Sequence, residues 1–111
     1  MSDCVFCAKI ADGSAEHLGS GVYHFEPLNP VVPGHQLFIA EEHFAYPHHG
    51  AALTGMLFGD AARWAGLQGG DYNLIVNGGI YAGQTIHHVH VHYVPRHAGD
   101  GLLMPWGGVH V

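Results

Sequence analysis

Positive charge is the scarcest property of this chain. Its permanent cations are Lys9, Arg63 and Arg96, set against nine acidic residues, which gives a formal net charge of −6 with histidine neutral. Binding a nucleic-acid polymer takes several Lys or Arg contacts to phosphate, so such a polymer is excluded as a partner. An anionic membrane surface is disfavoured for the same reason. A small phosphorylated ligand stays open, because backbone N–H groups, hydroxyls and imidazoles bind phosphate without net charge.

Long apolar runs are also missing, and none approaches the roughly 20 residues of a membrane-spanning helix. The segment Met1-Ser2-Asp3-Cys4 has neither the basic region nor the apolar stretch of a signal peptide. The expectation is a cytoplasmic protein. Cysteine is scarce as well, with only Cys4 and Cys7. In a reducing compartment a structural disulfide is disfavoured. A redox C-x-x-C would be expected between a strand and a helix of a βαβ unit. Near the terminus, the pair reads as half of a zinc site or as two ordinary small residues. The length of 111 residues suits one domain over 1–111, and 48% apolar residues suffice for a core.

What the chain has in abundance is histidine, twelve in all. They are densest in His87-His88-Val89-His90-Val91-His92-Tyr93-Val94. In an extended strand, side chains two apart share a face. His88, His90 and His92 would therefore line one face, while Val89, Val91 and Tyr93 turn to a core. Imidazole titrates near neutral pH, binds borderline metals and can act as a nucleophile. Three readings are open: a solvated sheet face, a metal site using His-x-His ligands, or a catalytic row. No Glu follows His92, which counts against a cupin-type metal set.

Pattern and turn signals place the other elements. Cys4–Ala11 suits a short helix or turn, broken at Asp12-Gly13-Ser14. Strands are expected over Gly21–Leu28, His35–Ala40, Asp71–Asn77 and Ile86–Pro95. A rigid turn runs from Asn29-Pro30 to Pro33-Gly34, and Glu41–His49 is loop. Leu53, Met56, Leu57, Ala61 and Trp64 recur at helical spacing over Ala51–Leu67. Gly55, Gly59 and Gly66 predict that this helix is short or kinked. The tail Arg96–Val111, with Trp106, has no regular pattern. The sum is an α+β domain.

Gly78, Gly79 and Gly83 form a loop that feeds straight into the histidine strand. Such a loop lets N–H groups converge on an anion, which would then lie beside His90. Phosphorus held there can be attacked by a neutral imidazole, with a neighbouring histidine serving the phosphoryl oxygens or the leaving atom. Cys4 and Cys7 need two more ligands to close a tetrahedral zinc site. His43, His48, His49 and His88 are all open on spacing, and His48-His49 reads better as solvated loop.

The run Ala82-Gly83-Gln84-Thr85-Ile86-His87-His88-Val89-His90-Val91-His92-Tyr93-Val94-Pro95-Arg96 resembles the signature of the histidine triad (HIT) family, His-φ-His-φ-His-φ-φ with φ apolar. Asn29-Pro30-Val31-Val32-Pro33-Gly34-His35 is similar to that family's Pro-Gly-His turn. Tyr72-Asn73-Leu74-Ile75-Val76-Asn77 resembles the strand and Asn before its phosphate loop, and Cys4-Val5-Phe6-Cys7 the Cys pair of its zinc-containing bacterial members. The resemblance runs from Cys4 to about Trp106.

It implies a HIT-like fold, a five-stranded antiparallel sheet with one or two helices, usually paired as a homodimer. It implies hydrolysis at the α-phosphorus of a purine nucleotide, either a nucleoside phosphoramidate or a dinucleoside polyphosphate. His90 matches the nucleophile and His92 the residue at the phosphate and leaving group. His88 matches the triad member whose carbonyl orients His90. His35 matches a phosphate-side histidine, and Asn77, Gly83, Gln84 and Thr85 the phosphate loop. The same pattern assigns Cys4, Cys7, His43 and His88 to a structural zinc, with no organic cofactor. Where many members carry Asp or Asn for the ribose hydroxyls, this chain has Pro27, with Glu26 and Leu28 beside it; ribose contact would move to Glu26 or a backbone group, and Leu28 is counted with the substrate-binding residues. The segment between His43 and Asp71 is short, which bears on dimer geometry. His92 in place of Gln favours hydrolases over the branch that transfers uridylyl groups. The rival readings are a nucleotide-binding module with little turnover and a metal-binding histidine-rich protein.

Overall fold

The computed structural model describes residues 3–104. Helix α1 (Val5–Ala11) leads into β1 (Glu16–Gly19), β2 (Val22–Phe25) and β3 (Gln36–Ala40). A 3-10 turn (Pro47–Gly50) precedes α2 (Ala51–Gln68), followed by β4 (Asp71–Val76), a second 3-10 turn (Ile80–Ala82) and β5 (His90–Arg96). The five strands form one sheet in the order β1-β2-β3-β5-β4. Every neighbouring pair is antiparallel. The α+β expectation holds.

Alternation along the strands divides the core between the two sheet faces. Val22, Phe38, Ala40, Val89, Val91 and Tyr93 pack with Leu57, Ala61 and Ala65 of α2. Phe25, Leu37 and Ile39 pack on the other side with Phe6 of α1. Register places Ile39 opposite His90 and Leu37 opposite His92. The two histidines therefore stand on the α1 side, and the valines between them anchor the strand to α2.

Four expectations are corrected. Helix α2 is continuous over 18 residues, so it is not short. Gly costs about 1 kcal/mol per helical site relative to Ala, but burial of Leu57, Ala61 and Ala65 at four-residue steps outweighs it. Met56, expected on that stripe, is 38% exposed. The first of the predicted strands is trimmed to Val22–Phe25 and gains an antiparallel partner, β1, that the pattern did not signal. The histidine strand begins at His90 rather than Ile86. The reason is local: the His88 side chain bonds the Ala40 carbonyl at 2.6 Å, and the Val89 N–H donates to Phe44 at 2.7 Å. The regular ladder with β3 therefore stops at Ile39–His90.

The turn into α2 is tied from within. The Thr54 hydroxyl donates to the carbonyls of Pro47 (3.1 Å) and Gly50 (2.9 Å). A Cβ on Gly50 would lie 2.5 Å from Cζ of Phe44, so any larger residue there must push that ring aside. Trp106 lies outside the described residues.

Candidate functional site

Cys4 caps α1, and its sulfur accepts from the Cys7 N–H at 3.4 Å. One helical turn thus brings both sulfurs to the same end of α1. There they meet His43, from the loop after β3, and His88, from the approach to β5. The Nδ1 of His88 lies 3.4 Å from Cys4 Sγ, 3.6 Å from Cys7 Sγ and 3.2 Å from His43 Nδ1, which is itself 3.4 Å from Cys7 Sγ. All four donor atoms fall within 4.8 Å of one another. A tetrahedron with Zn–N near 2.0 Å and Zn–S near 2.3 Å has edges of about 3.3–3.8 Å, so the residues fit zinc. His88 Nε2 must carry the proton, because its partner is the Ala40 carbonyl. That leaves the Nδ1 lone pair facing the sulfurs, and the Ala40 bond orients the ring as an outer-shell partner does for a ligand. The other two histidines open on spacing, His48 and His49, are exposed, lie tilted and edge-on against Tyr46, and are not among the four clustered donors.

Two residues on, the arrangement inverts. The Nδ1 of His90 lies 2.7 Å from the His88 carbonyl. A carbonyl only accepts, so His90 is protonated at Nδ1 and its Nε2 carries the lone pair. The ring is 7% exposed. Burial pushes its pKa below the ordinary imidazole value, and the bond to the His88 carbonyl pulls it partly back. Phe6 meets His90 edge-on at 5.1 Å and His88 at 5.8 Å, which keeps that side of the row apolar.

His92 is set by His35. The Val31 N–H donates to His35 Nδ1 at 3.2 Å, so His35 holds its proton on Nε2. That nitrogen is 3.0 Å from His92 Nδ1, which must accept. His92 therefore carries its own proton on Nε2. Burial first, then the neighbouring His90 and His35, push its pKa down to about 4. Burial alone lowers His35. All three rings are neutral at neutral pH.

The His92 ring lies 5.0 Å from that of His90 and forms, with His35 and Asn77, part of the wall of a cleft of about 250 Å³. Gly83 closes the second 3-10 turn at φ +95°, in the left-handed region. A Cβ there would stand 3.5 Å from Nδ2 of Asn77, so the two expected loop groups are adjacent. Gln84 is turned inward and 1% exposed. Its Oε1 accepts from the Gly79 N–H at 2.9 Å and its Nε2 donates to Ala45 at 3.0 Å. The expectation of a substrate contact from this side chain is corrected, since both ends are spent bracing the loop. Thr85 is exposed and borders a second hollow, with Cys4 and His43 on its wall. Leu28 is 90% exposed on the turn after β2.

Sequence reasoning missed Phe6, the Val31 N–H and a cluster around Arg96. The Arg96 guanidinium grips Asp100 at 2.8 and 3.2 Å and donates to Asn73 at 2.7 Å. The four-residue spacing of these opposite charges was the available signal.

A two-faced antiparallel sheet with a Cys2His2 cluster at one end and a buried, tautomer-ordered histidine row beside it defines the class. The family model for the HIT domain matches residues 19–99, and the chain belongs to that family. Among curated relatives, the adenylylsulfatase HINT3 of Arabidopsis thaliana is 34% identical over 92% of this chain. The match takes in 56% of that longer protein. Among solved structures, a HIT family hydrolase from Clostridium thermocellum superposes with a TM-score of 0.78 at 27% identity, covering 94% of this chain and 99% of that one. A zinc-bound histidine triad family protein from Mycobacterium smegmatis gives 0.66 at 32% identity, over 91% and 80%. Among the described residues, no helix is long and apolar enough to cross a membrane.

Proposed function

We propose that the protein hydrolyses a purine nucleotide at its α-phosphorus through a nucleotidyl-His90 intermediate. The observation that carries this reading is the His90 tautomer. With Nδ1–H held by the His88 carbonyl at 2.7 Å, Nε2 carries the lone pair before substrate arrives. Nucleophilic catalysis by imidazole requires that state.

The bond from His90 Nε2 to phosphorus forms as the bond to the leaving atom breaks, its electron pair going to that atom. An amine leaving group takes a proton from water; a phosphate leaves as the anion. A water molecule then attacks phosphorus, displaces Nε2 and gives up a proton to solvent, so that one water is consumed overall. His92 Nε2–H donates to a phosphoryl oxygen as charge gathers there. Asn77 and the loop at Gly83 hold the remaining oxygens. His35 acts through His92 rather than on phosphate, because both its nitrogens are committed.

Cys4, Cys7, His43 and His88 would hold a structural zinc, which supplies cross-linking of α1 to the sheet. The relatives' names support nucleotide chemistry and hydrolysis, and one neighbour is zinc-bound. The chain is expected to act as one domain and to pair as a homodimer, which sedimentation of the purified protein would test. The deciding experiment compares wild type with His90→Ala on an adenosine phosphoramidate. Turnover is expected to drop at least 10³-fold while adenosine monophosphate still binds. Wild-type turnover by His90→Ala would sink the assignment. Binding without product in the wild type would favour a nucleotide-binding module.

A further inference from the structure

We propose that a cleft on the face of the sheet opposite the histidine row is a binding site for an uncharged planar heterocycle of the purine-base class. Such a site is separate from the chemistry proposed above and stands or falls without it.

Strand alternation puts Gln36 on the side of Phe38, and Tyr93 and Pro95 on the side of Val91. Phe38, Val91 and Tyr93 all pack towards α2. Together with Trp64 and Gln68 of α2 and Pro33 of the turn before β3, these residues line a cleft of about 260 Å³. Register pairs Gln36 with Tyr93. Their chain neighbours His35 and His92 line the cleft on the other face, so the sheet itself separates the two.

The polar groups around this cleft are left open. Gln36 Oε1 faces His24 Nδ1 at 2.9 Å, and the Gln36 amide nitrogen has no partner among the described residues. The Tyr93 hydroxyl has none among them either, although the residue is only 2% exposed. The Trp64 indole N–H is buried and unpartnered. Buried donors are almost always bonded, so Tyr93 and Trp64 on one cleft point to an occupant that supplies acceptors. Charge is missing: among the described residues no Lys, Arg, Asp or Glu lines the cleft, and His97 is its only imidazole. A phosphate or an ammonium group finds no counter-charge there. Trp64, Pro33 and Pro95 instead offer ring surfaces on which a planar ring stacks. Glutamine amides are side chains that pair edge-on with the N6 and N7 of adenine. A purine base combines flat faces, edge acceptors and donors, and no charge. The modest volume suits a fragment of that size rather than a larger ligand.

The test titrates adenine into the full chain and follows the Trp64 indole N–H by heteronuclear NMR, the signal being assigned by its loss in Trp64→Phe. It is expected to shift saturably, with a Kd in the millimolar range or tighter. Gln36→Leu is expected to weaken that Kd about tenfold. Gln68→Leu, at the exposed end of α2, is expected to weaken it about threefold and carries the test if Gln36→Leu does not fold. Asn77→Ala, in the other cleft, should leave the shift and its Kd as in the wild type. Sodium benzoate, planar but anionic, is expected not to move the signal. A Trp64 signal indifferent to adenine would mean that the cleft holds only water and would overturn the site. Loss of the response in Asn77→Ala, or its survival at full strength in both glutamine variants, would place adenine elsewhere. Equal binding of benzoate would overturn the ligand class. A signal that moves on dilution of the protein and not with adenine would assign the cleft to a second copy of the chain. None of these outcomes touches the hydrolase reading, which turnover alone decides.

Discussion

His88 and His90 sit two residues apart on one side of the same segment, yet they present opposite nitrogens to their surroundings. His88 spends Nε2–H on the Ala40 carbonyl and turns Nδ1 to the thiols. His90 spends Nδ1–H on the His88 carbonyl and keeps its lone pair on Nε2. His92 repeats neither: its Nδ1 accepts from His35, so its Nε2 is a donor. Chemically identical side chains are left with different nitrogens to offer, according to which backbone or side-chain group holds the other one. The lesson is that a tautomer set by a single partner decides whether a histidine presents a lone pair or an N–H, and on which side of the ring.

The contrast can be broken most severely at the metal end. Stripping metal with a chelator, or Cys4→Ser together with Cys7→Ser, is expected to cost several kcal/mol of stability, read as a fall in Tm of more than 10 °C. Zinc content measured by elemental analysis should fall from one per chain to none. If zinc stays bound in the double variant, the cluster is not the site. At the other end, His35→Ala removes the group that fixes the His92 proton. Turnover is expected to drop about 10–100-fold with little change in nucleotide binding. Equal loss in both would place His35 directly on the ligand.

A subtler way to sharpen the comparison is pH. His92 is held at about 4, below its ordinary 6.5, so between those values the unfolded chain binds more protons than the folded one. Its contribution to stability is complete above pH 6.5 and is lost as pH falls towards 4. Denaturation titrations should show a slope over this window that is flatter in His92→Asn, the difference accumulating to on the order of 3 kcal/mol across it. An unchanged slope would remove His92 as its source. The smallest effect is expected at Met56. Exposed at 38% on α2, it should tolerate Met56→Lys within about 0.5 kcal/mol; a large loss would mean that this face is covered in solution.

The residues that cluster here were partly legible in the sequence. Alternation marked the histidine row and its valine backing, and C-x-x-C marked two thiols on one turn. What pattern could not supply was anything depending on a distant carbonyl. The Ala40 carbonyl that orients His88 is 48 residues away, and nothing at either position announces it. Gln84 looked like a loop donor because it lies between Gly83 and Thr85; only the fold shows it facing inward. Not every histidine belongs to the chemistry, either. His24 is 4% exposed, stacks on Phe38 at 5.3 Å and bonds Gln36 at 2.9 Å, as a core residue would. Strand β1 was missed because its side chains are mostly exposed and its sequence does not alternate. Glycine content misled on α2 because propensity is local and the stripe beneath it is not.

Helix α1 carries a consequence of its own. Seven residues are too few to stay helical unaided, so its residence on the sheet depends on what it holds. It holds the thiols at its start and, between them, Phe6 against the face of the histidine row. A metal bound by those thiols would therefore help to hold Phe6 against His90, although His90 is not one of the four clustered donors. Loss of such an ion would act as a leak, opening to water a ring that Phe6 otherwise covers.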